Sequence, residues 1–382
     1  MYSGLEVVIS NLAKELAQMK EHHEVFVLSS QGSNMGGMWQ YEDEKTHEKL
    51  GTLQVIETVP SSWTGGSELN HFLAYKDFVI HNFGKGEGVV LDSTWQMWAY
   101  YLVSGLHGKY FGVDWEIDPH PDMKILHLHH GMPNSQSRPP NVRWPRVLSL
   151  STRHSSWLSQ IMRTPARHMW NGIPLPDVKQ EQCPRDNGNK NIAGTEGRPF
   201  LLSLNRMTEE KGIHDTINVA IENNHTIIVA GDDINVRSQD YVSQIVEMCR
   251  NSHGLAVYYG SIDAYTKDLL LRHCAAVISC PYTIGPKAWV EGFGLNVVEG
   301  LAYYKPFLGL QNGGHVDIVE HGKHGFLTMT PGELVPLVNK IGEIDGAECR
   351  KRVEEEFTVE KMAQRYINLF QRIMNDDPTA YW

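Results

Sequence analysis

Near the start of the chain the apolar residues Leu5, Val8, Ile9, Leu12, Leu16 and Met19 fall at i, i+3, i+4, i+7, i+11 and i+14. That spacing lays one apolar stripe along a helix, and the pattern predicts an amphipathic helix there. EVFVLS follows as a strand, and GVVLD (88–92), MKILHLHH (123–130) and RVLSLS (146–151) read as further strands separated by helix-length segments. In the second half FLLSLN (200–205), HTIIVAG (225–231), LAVYYG (255–260), AAVISC (275–280) and KPFLGL (305–310) are nearly all apolar, as strands covered on both faces are. The chain closes on a periodic segment, Val359, Met362, Tyr366, Phe370 and Ile373, with Thr358 placed to cap it.

This alternation predicts parallel sheets with helices on their faces, an α/β protein of two doubly wound domains. Residues 180–198, QEQCPRDNGNKNIAGTEGR, carry Pro, Gly, Asn and charge without apolar periodicity and read as an exposed connection. The expected organisation is a first domain over 1–185, a linker over 186–198, a second domain over 199–357, and a closing helix over 358–382 packing back on the first domain. Ligands of open parallel sheets sit at the carboxyl ends of the strands, which places the expected site in a central cleft that the two domains face.

Charge narrows the partners. The 382 residues hold 34 Lys+Arg against 45 Asp+Glu, a net charge of −11. That balance offers no electrostatic footprint for nucleic acid and allows at most peripheral contact with an anionic membrane. Five cysteines, Cys183, Cys249, Cys274, Cys280 and Cys349, are few and odd in number, which argues against a disulfide framework and for a reducing compartment. No apolar run is long enough to cross a bilayer, and Glu6, Lys14, Glu15 and Lys20 make the first twenty residues unlike a signal peptide. The expectation is a cytoplasmic protein. The sequon at Asn224 then reads as a loop before a strand.

The richest chemistry lies in EGFGLNVVEG, 291–300. Seven residues separate Glu291 from Glu299, and Gly292 and Gly294 leave backbone amides open to a bound group at a helix N-terminus. With a helix beginning at Leu295, Glu299 lies in its second turn, where a carboxylate can accept from a ribose diol. Two solvated glutamates at a helix cap are the bland alternative. In LSLNRMTEEKG (202–212), Arg206 and Lys211 follow a buried strand, five residues apart, and suit a diphosphate leaving group. Their bland alternative is pairing with Glu209 or Glu210. QNGGHVDIVEHGKHGFL (311–327) reads as a structural turn at Gly313 and Gly314 before a short helix. GKGEG (84–88) precedes its strand and is no dinucleotide fingerprint. Cys274 and Cys280 span a buried strand as core residues, and Trp95, Trp98 and Trp115 either stack on a sugar or form an aromatic core.

Taken in order, NRMTEEKG, VAG (229–231), a strand ending at Gly260, EGFGLNVVEGLAYYKPF and NGGHVDIVEHGKHGFL resemble the C-terminal domain of the retaining, GT-B-fold nucleotide-sugar glycosyltransferases. That large family includes glycogen-synthase-like and sucrose-synthase-like enzymes, and its signature is the E-x7-E pair. YSGLEVVISNLAKELAQMKEHHEVFVLS is similar to the family's opening Gly loop and first helix, and NGIPLP (171–176) to its segment before the linker. The resemblance is strong around 200–330, moderate at 2–30 and faint over 35–120.

The resemblance implies two Rossmann-like domains and a donor held mainly by the second. Glu299 would hold the donor's ribose. Glu291 with the backbone of Gly292, Phe293, Gly294 and Leu295 would hold the transferred sugar, and the base would lie near Gly260 to Ile262. Arg206 and Lys211 would neutralise the departing diphosphate without a metal ion, so no metal or other cofactor is expected. The donor would be a nucleotide-diphosphate sugar, a UDP-sugar being favoured, and the acceptor hydroxyl would sit on a carbohydrate, a lipid-linked group or another molecule. In the family a histidine after an N-domain strand faces the sugar. His130, followed by Gly131, matches it, with His129 as runner-up, while His127 and His129 on one strand face also fit packed histidines or an H-x-H zinc site. Catalysis would then involve Glu291, His130, Arg206 and Lys211.

Two positions depart from the family's pattern. Its paired glycine is Ser3-Gly4 here, with no strand before it, so either the true start lies upstream or the first sheet lacks a strand. Its glycine before the Arg is Asn205. A nucleotide-sugar isomerase or epimerase of the same fold, and a non-catalytic sugar-binding relative, remain as alternative readings.

Overall fold

The computed structural model describes the chain except residues 1–3, 22, 32–36, 44, 61–64, 95–96, 111–112, 132–145, 187–191, 235, 237, 283–288 and 381–382. It divides into two compact units: an N-terminal unit of Leu5–Leu150, Ser155–Trp170 and Val359–Trp382, and a C-terminal unit that takes in Ser151–His154 and Asn171–Thr358.

The N-terminal unit opens with helix α1 (Gly4–Gln18), whose Val8, Leu12, Ala13, Leu16 and Ala17 are buried. Strands β1 (Glu24–Gln31), β2 (Gly37–Glu42) and β3 (Lys49–Pro60) form one sheet in the order β1-β3-β2, with β1 parallel and β2 antiparallel to β3. Helix α2 (Gly65–Phe83) leads to β4 (Val89–Asp92), the short α3 (Tyr100–Ser104) and a hairpin of β5 (Leu106–Tyr110) and β6 (Val113–Ile117). Strand β7 (Lys124–Leu128), β8 (Val147–Ser149), α4 (Thr152–Met162) and β9 (Ala166–His168) follow, and β4-β7-β8-β9 make a parallel four-stranded sheet. The faint stretch over 35–120 thus holds an antiparallel edge strand and a hairpin that the β/α rhythm does not foretell. Trp98 stacks on Phe72 at 5.6 Å and on Trp115 at 5.9 Å between ring centroids. Both tryptophans are core, at 2% and 5% exposure, while Trp95 lies outside the described residues.

The C-terminal unit runs β10 (Phe200–Leu204), α5 (Ile213–Glu222), β11 (Thr226–Ala230), α6 (Gln239–Arg250), β12 (Ala256–Gly260), α7 (Ala264–His273), β13 (Ala276–Ser279), α8 (Leu295–Ala302), β14 (Phe307–Leu310), α9 (His315–Ile318), β15 (Gly325–Thr328), α10 (Pro331–Val338) and α11 (Gly346–Glu356). All six strands are parallel, in the order β12-β11-β10-β13-β14-β15. Every residue of β11, β13, β14 and β15 is buried, the consequence of a sheet covered on both faces. Side-chain caps start the helices where the sequence turns polar: Ser238 accepts from the amide of Tyr241 at α6, and Asp263 from that of Thr266 at α7. All five cysteines are free and buried.

The division of the chain corrects the expected linker. The change of unit falls between Trp170 and Asn171, and the stretch 186–198, like the end of the expected first domain, belongs to the C-terminal unit. Ile173 donates to the Phe357 carbonyl at 2.9 Å, Arg185 donates to the carbonyls of Ile344 and Tyr304, and the fully buried Lys305 places Nζ 2.8 Å from the carbonyls of both Cys183 and Pro184. A Pro/Gly/Asn-rich composition reports exposure, but it does not report that a lysine more than a hundred residues later grips the backbone. The closing helix α12 (Val359–Met374) buries Met362, Tyr366 and Ile373 within the N-terminal unit, where Lys124 donates to its last-turn carbonyl at Ile373.

Candidate donor site

In chain order the six strands of the C-terminal unit stand 3-2-1-4-5-6, so the order reverses between β10 and β13. Connections leave these two neighbours in opposite directions, and the crevice beyond their carboxyl ends is where such sheets bind ligands. Among the described residues, 205–212, 280–282 and 289–294 border it, and they carry most of the residues singled out in the sequence.

Asn205, the departure from the family's glycine, is buried and has a structural role. Its Nδ2 donates to Ser203 Oγ at 3.3 Å, while its Oδ1 accepts from Ser279 Oγ at 3.4 Å and Asn296 Nδ2 at 3.2 Å. One amide thereby ties β10, β13 and α8 across the point where the strand order reverses, which no glycine can do.

Lys211 ends a short 3-10 turn, Glu209–Lys211, and reaches neither Glu209 nor Glu210. Its Nζ bonds the Glu291 carboxylate and lies 5.6 Å from the centroid of the Trp289 ring. The two side chains are 15% and 14% exposed, shielded enough that the pair is screened little by salt. Burial pushes the Glu291 carboxyl up, but Lys211, His315 and Arg206 outweigh it and hold the group below its ordinary value. Arg206 is exposed and forms no ion pair among the described residues.

Gly294 adopts φ 104 and caps α8, so the helix begins at Leu295 as its sequence predicts. The turn at Gly313 holds this loop from behind: with φ 48, a Cβ there would lie 1.7 Å from the Glu291 carbonyl oxygen, a contact only glycine permits. Gly314 donates to that carbonyl at 2.9 Å, and the Glu291 amide donates to Asn312 Oδ1 at 3.1 Å. Asn312 Nδ2 in turn donates to the carbonyls of Trp289 and Tyr282. Buried beneath lies His315, whose Nδ1 donates to the Leu310 carbonyl at 3.0 Å and whose Nε2 finds no partner among the described residues. Burial pushes its pKa down against the pull of Glu291. The side chain of Phe293 packs edge-on against Phe357 at 5.7 Å, so only its backbone is left to a ligand. Gly292 is buried and Leu295 half-buried in the same loop.

Glu299 sits in the second turn of α8 and carries a partner the motif does not reveal: Lys267 of α7, Nζ to Oε1 2.6 Å. Gly260 ends β12 and Ile262 lies just beyond it. There the Asp233 carboxylate accepts from Tyr258 Oη at 2.6 Å and Ser261 Oγ at 2.7 Å. Burial raises the Asp233 pKa, and those bonds outweigh it and lower the group below its ordinary value. Asn312, His315, Lys267 and Asp233 were not foreseen as site residues; only the Gly-Gly pair beside Asn312 marks any of them in the sequence.

In the N-terminal unit His127 and His129 are buried and His130 half-buried just beyond the carboxyl end of β7. His127 Nε2 faces His129 Nδ1 at 3.2 Å, and His127 Nδ1 faces Asp92 Oδ2 at 3.6 Å. Among the described residues no group of three or more His, Cys, Asp or Glu is arranged to hold a metal ion. Ser3 lies outside the described residues, and Gly4 is the first residue of α1 instead of part of a preceding loop.

Two α/β units, the second all parallel in Rossmann strand order with its charged loops at the reversal point, define a GT-B fold. Comparison with known proteins bears this out. The chain is similar to sucrose-phosphate synthase from Thermosynechococcus elongatus (TM-score 0.68, 15% identity, 98% of this chain and 94% of that one). It is also similar to Anabaena HepE in complex with UDP and glucose (TM-score 0.67, 17% identity, 97% and 96%). The family model of the group 1 glycosyl transferases matches residues 185–356. A probable sucrose-phosphate synthase of Thermosipho melanesiensis is 38% identical over 85 residues, 22% of this chain and 20% of that protein. The O-antigen chain mannosyltransferase C of Escherichia coli is 22% identical over 194 residues, 47% and 48%. The chain therefore spans about half or less of the curated relatives it matches. Among the described residues no helix is long and apolar enough to cross a membrane.

Proposed function

We propose that the protein is a retaining glycosyltransferase that moves a hexosyl group from a nucleotide-diphosphate sugar, a UDP-sugar first, to an acceptor hydroxyl on a carbohydrate, a lipid-linked group or another molecule, without a metal ion. The observation that carries this reading is the Lys211–Glu291 pair with the exposed Arg206 beside it, set at the N-terminus of α8 where the strand order reverses. The HepE structure, which holds UDP and glucose, supports the choice of donor.

In this reading Glu299 accepts from the ribose diol, and Glu291 with the amides of Gly292 to Leu295 holds the transferred sugar. The bond from the anomeric carbon to the diphosphate breaks as the acceptor oxygen attacks from the same face. The acceptor proton passes to the departing phosphate oxygen, so configuration is retained and neither glutamate is a nucleophile. Negative charge grows on the leaving group, where Arg206 and Lys211 stabilise it as fixed cations. Lys211 turns part of its charge from Glu291 to the diphosphate when donor is bound. His130 is assigned to the sugar from the N-terminal unit.

A thermal-shift screen of UDP-, GDP- and ADP-sugars tests donor binding, since ligand at a hundred times its dissociation constant adds about 2.7 kcal/mol. Arg206→Ala and Glu299→Ala should each abolish that shift; unchanged binding and transfer in both variants would refute the site. Product formed from donor alone would make the protein an isomerase, and anomeric NMR of the product with chelator present decides retention and metal independence.

A further inference from the structure

Asp92 and His127 are register partners at the carboxyl ends of the neighbouring strands β4 and β7. Asp92, His127 and His129 are 5%, 0% and 1% exposed, three titratable groups in contact where the proposed mechanism uses none of them. Asp92 is held firmly: Oδ1 accepts from the Thr94 amide at 2.9 Å and from Thr94 Oγ1 at 2.8 Å, and Oδ2 accepts from the Ala99 amide at 3.3 Å. Its remaining reach is toward His127 Nδ1, with His71 and Tyr100 as the other titratable groups that feel its charge.

Tautomer chemistry orders the rest. Asp92 Oδ2 lies 3.6 Å from His127 Nδ1, beyond hydrogen-bond distance, so it acts on the ring through its negative charge, which favours the tautomer with the proton on the facing nitrogen, Nδ1. The neutral ring then has its lone pair on Nε2. Because Nε2 faces His129 Nδ1 at 3.2 Å, that Nδ1 must donate, and the lone pair of His129 falls on its own Nε2. The His129 amide is also bonded to the Leu148 carbonyl at 2.9 Å, which anchors the backbone from which the next residue, His130, projects.

We propose that Asp92, His127 and His129 form a buried positioning relay that fixes the tautomer and orientation of His129, and through its backbone the placement of His130. The role assigned to His130 rests on the transferase reading above; the tautomers do not. The relay stores its order in two hydrogens whose positions are set by one carboxylate, so a change at Asp92 is transmitted to His129 through His127.

The test is nitrogen-15 NMR of the full chain labelled at histidine. In the wild type both His127 and His129 should appear as Nδ1–H tautomers. In Asp92→Asn, whose amide can donate toward His127, both should switch to Nε2–H. Should that variant not fold, His127→Phe leaves the bonds of Asp92 to Thr94 and Ala99 intact, and there His129 should lose its Nδ1–H preference. Nε2–H rings in the wild type, or tautomers unmoved by these changes, overturn the relay. With UDP-glucose as probe, Asp92→Asn should lower kcat about tenfold or more with the donor KM unchanged, as misplacing a positioned group does. An unchanged kcat beside switched tautomers overturns the positioning role. If the wild type transfers no sugar from any nucleotide sugar, it is the transferase reading that fails, and the NMR measurement still decides the relay.

Discussion

The two units handle their ionisable groups in opposite ways. Around the carboxyl ends of β10 and β13 the charges are partly exposed: Lys211 pairs with Glu291 between loops, Lys267 of α7 with Glu299 of α8, and Arg206 stands in solvent. At the carboxyl ends of β4 and β7 they are sealed in, with Asp92, His127 and His129 all at 5% exposure or less. A partly exposed pair can exchange its partner for a ligand's phosphate or hydroxyl more readily than a sealed one, because the ligand can reach it. A buried chain cannot exchange; it can only hold a geometry. The first arrangement suits binding of a charged, departing group, and the second suits positioning.

The largest expected effect falls on the exchangeable side. Arg206→Ala should lower the proposed transfer about 10²- to 10³-fold, the scale of losing one fixed donor at a developing charge, with folding unchanged. Steady-state rates beside a melting curve check it, and a rate within a factor of two of wild type removes Arg206 from the site.

Lys305→Ala should come next, through stability. It strips the carbonyls of Cys183 and Pro184 of their shared donor and should cost about 2–4 kcal/mol in urea unfolding of the C-terminal unit. Burial pushes the Lys305 pKa down to about 8, below its unfolded value. The wild type should therefore gain stability as the pH rises from about 8 toward the ordinary lysine range, and the Lys305→Ala variant should not.

Glu291→Gln sharpens the comparison by pH. The carboxyl is held below its ordinary value when folded, so its contribution is complete above the unfolded pKa and is lost as the pH falls through the folded one. The stability gap between wild type and variant should be present at pH 7 and shrink in acid below the ordinary glutamate value of about 4.3. A gap that grows in acid would reverse the assigned sign.

Lys267→Met should be the smallest, under about 1 kcal/mol in stability, because the lysine is 38% exposed and such pairs contribute little. A loss of several kcal/mol would show that this pair belongs with the sealed groups.

Much of the C-terminal unit could be read directly. Continuous apolar runs such as TIIVA and AVIS are legible because strands covered on both faces need no alternation, and Gly294 before Leu295 marks the start of α8 because only glycine takes that φ without strain. Glu291, Glu299, Arg206 and Lys211 were legible as candidates from their spacing. Their partners were not: Lys267 lies 32 residues from Glu299, and Lys211 lies 80 from Glu291. The N-terminal unit was harder, since the antiparallel β2 and the β5–β6 hairpin break the β/α rhythm, and Trp98 and Trp115 are core only because the chain folds them onto Phe72.

The sequence by itself determined the α/β class, the parallel strands of the C-terminal unit, the opening and closing helices, and the loops that carry charge. These are properties of local periodicity and of single residues with unusual conformational freedom. Only the tertiary structure decided that Asn171–Arg198 belongs with the C-terminal unit, that Asn205 is a brace, that each signature glutamate has its own lysine, and that Asp92 meets His127 and His129. Each of those is a contact between residues distant in the chain, and hydrogen-bond partners are chosen by which strands lie side by side, an order that no local pattern encodes.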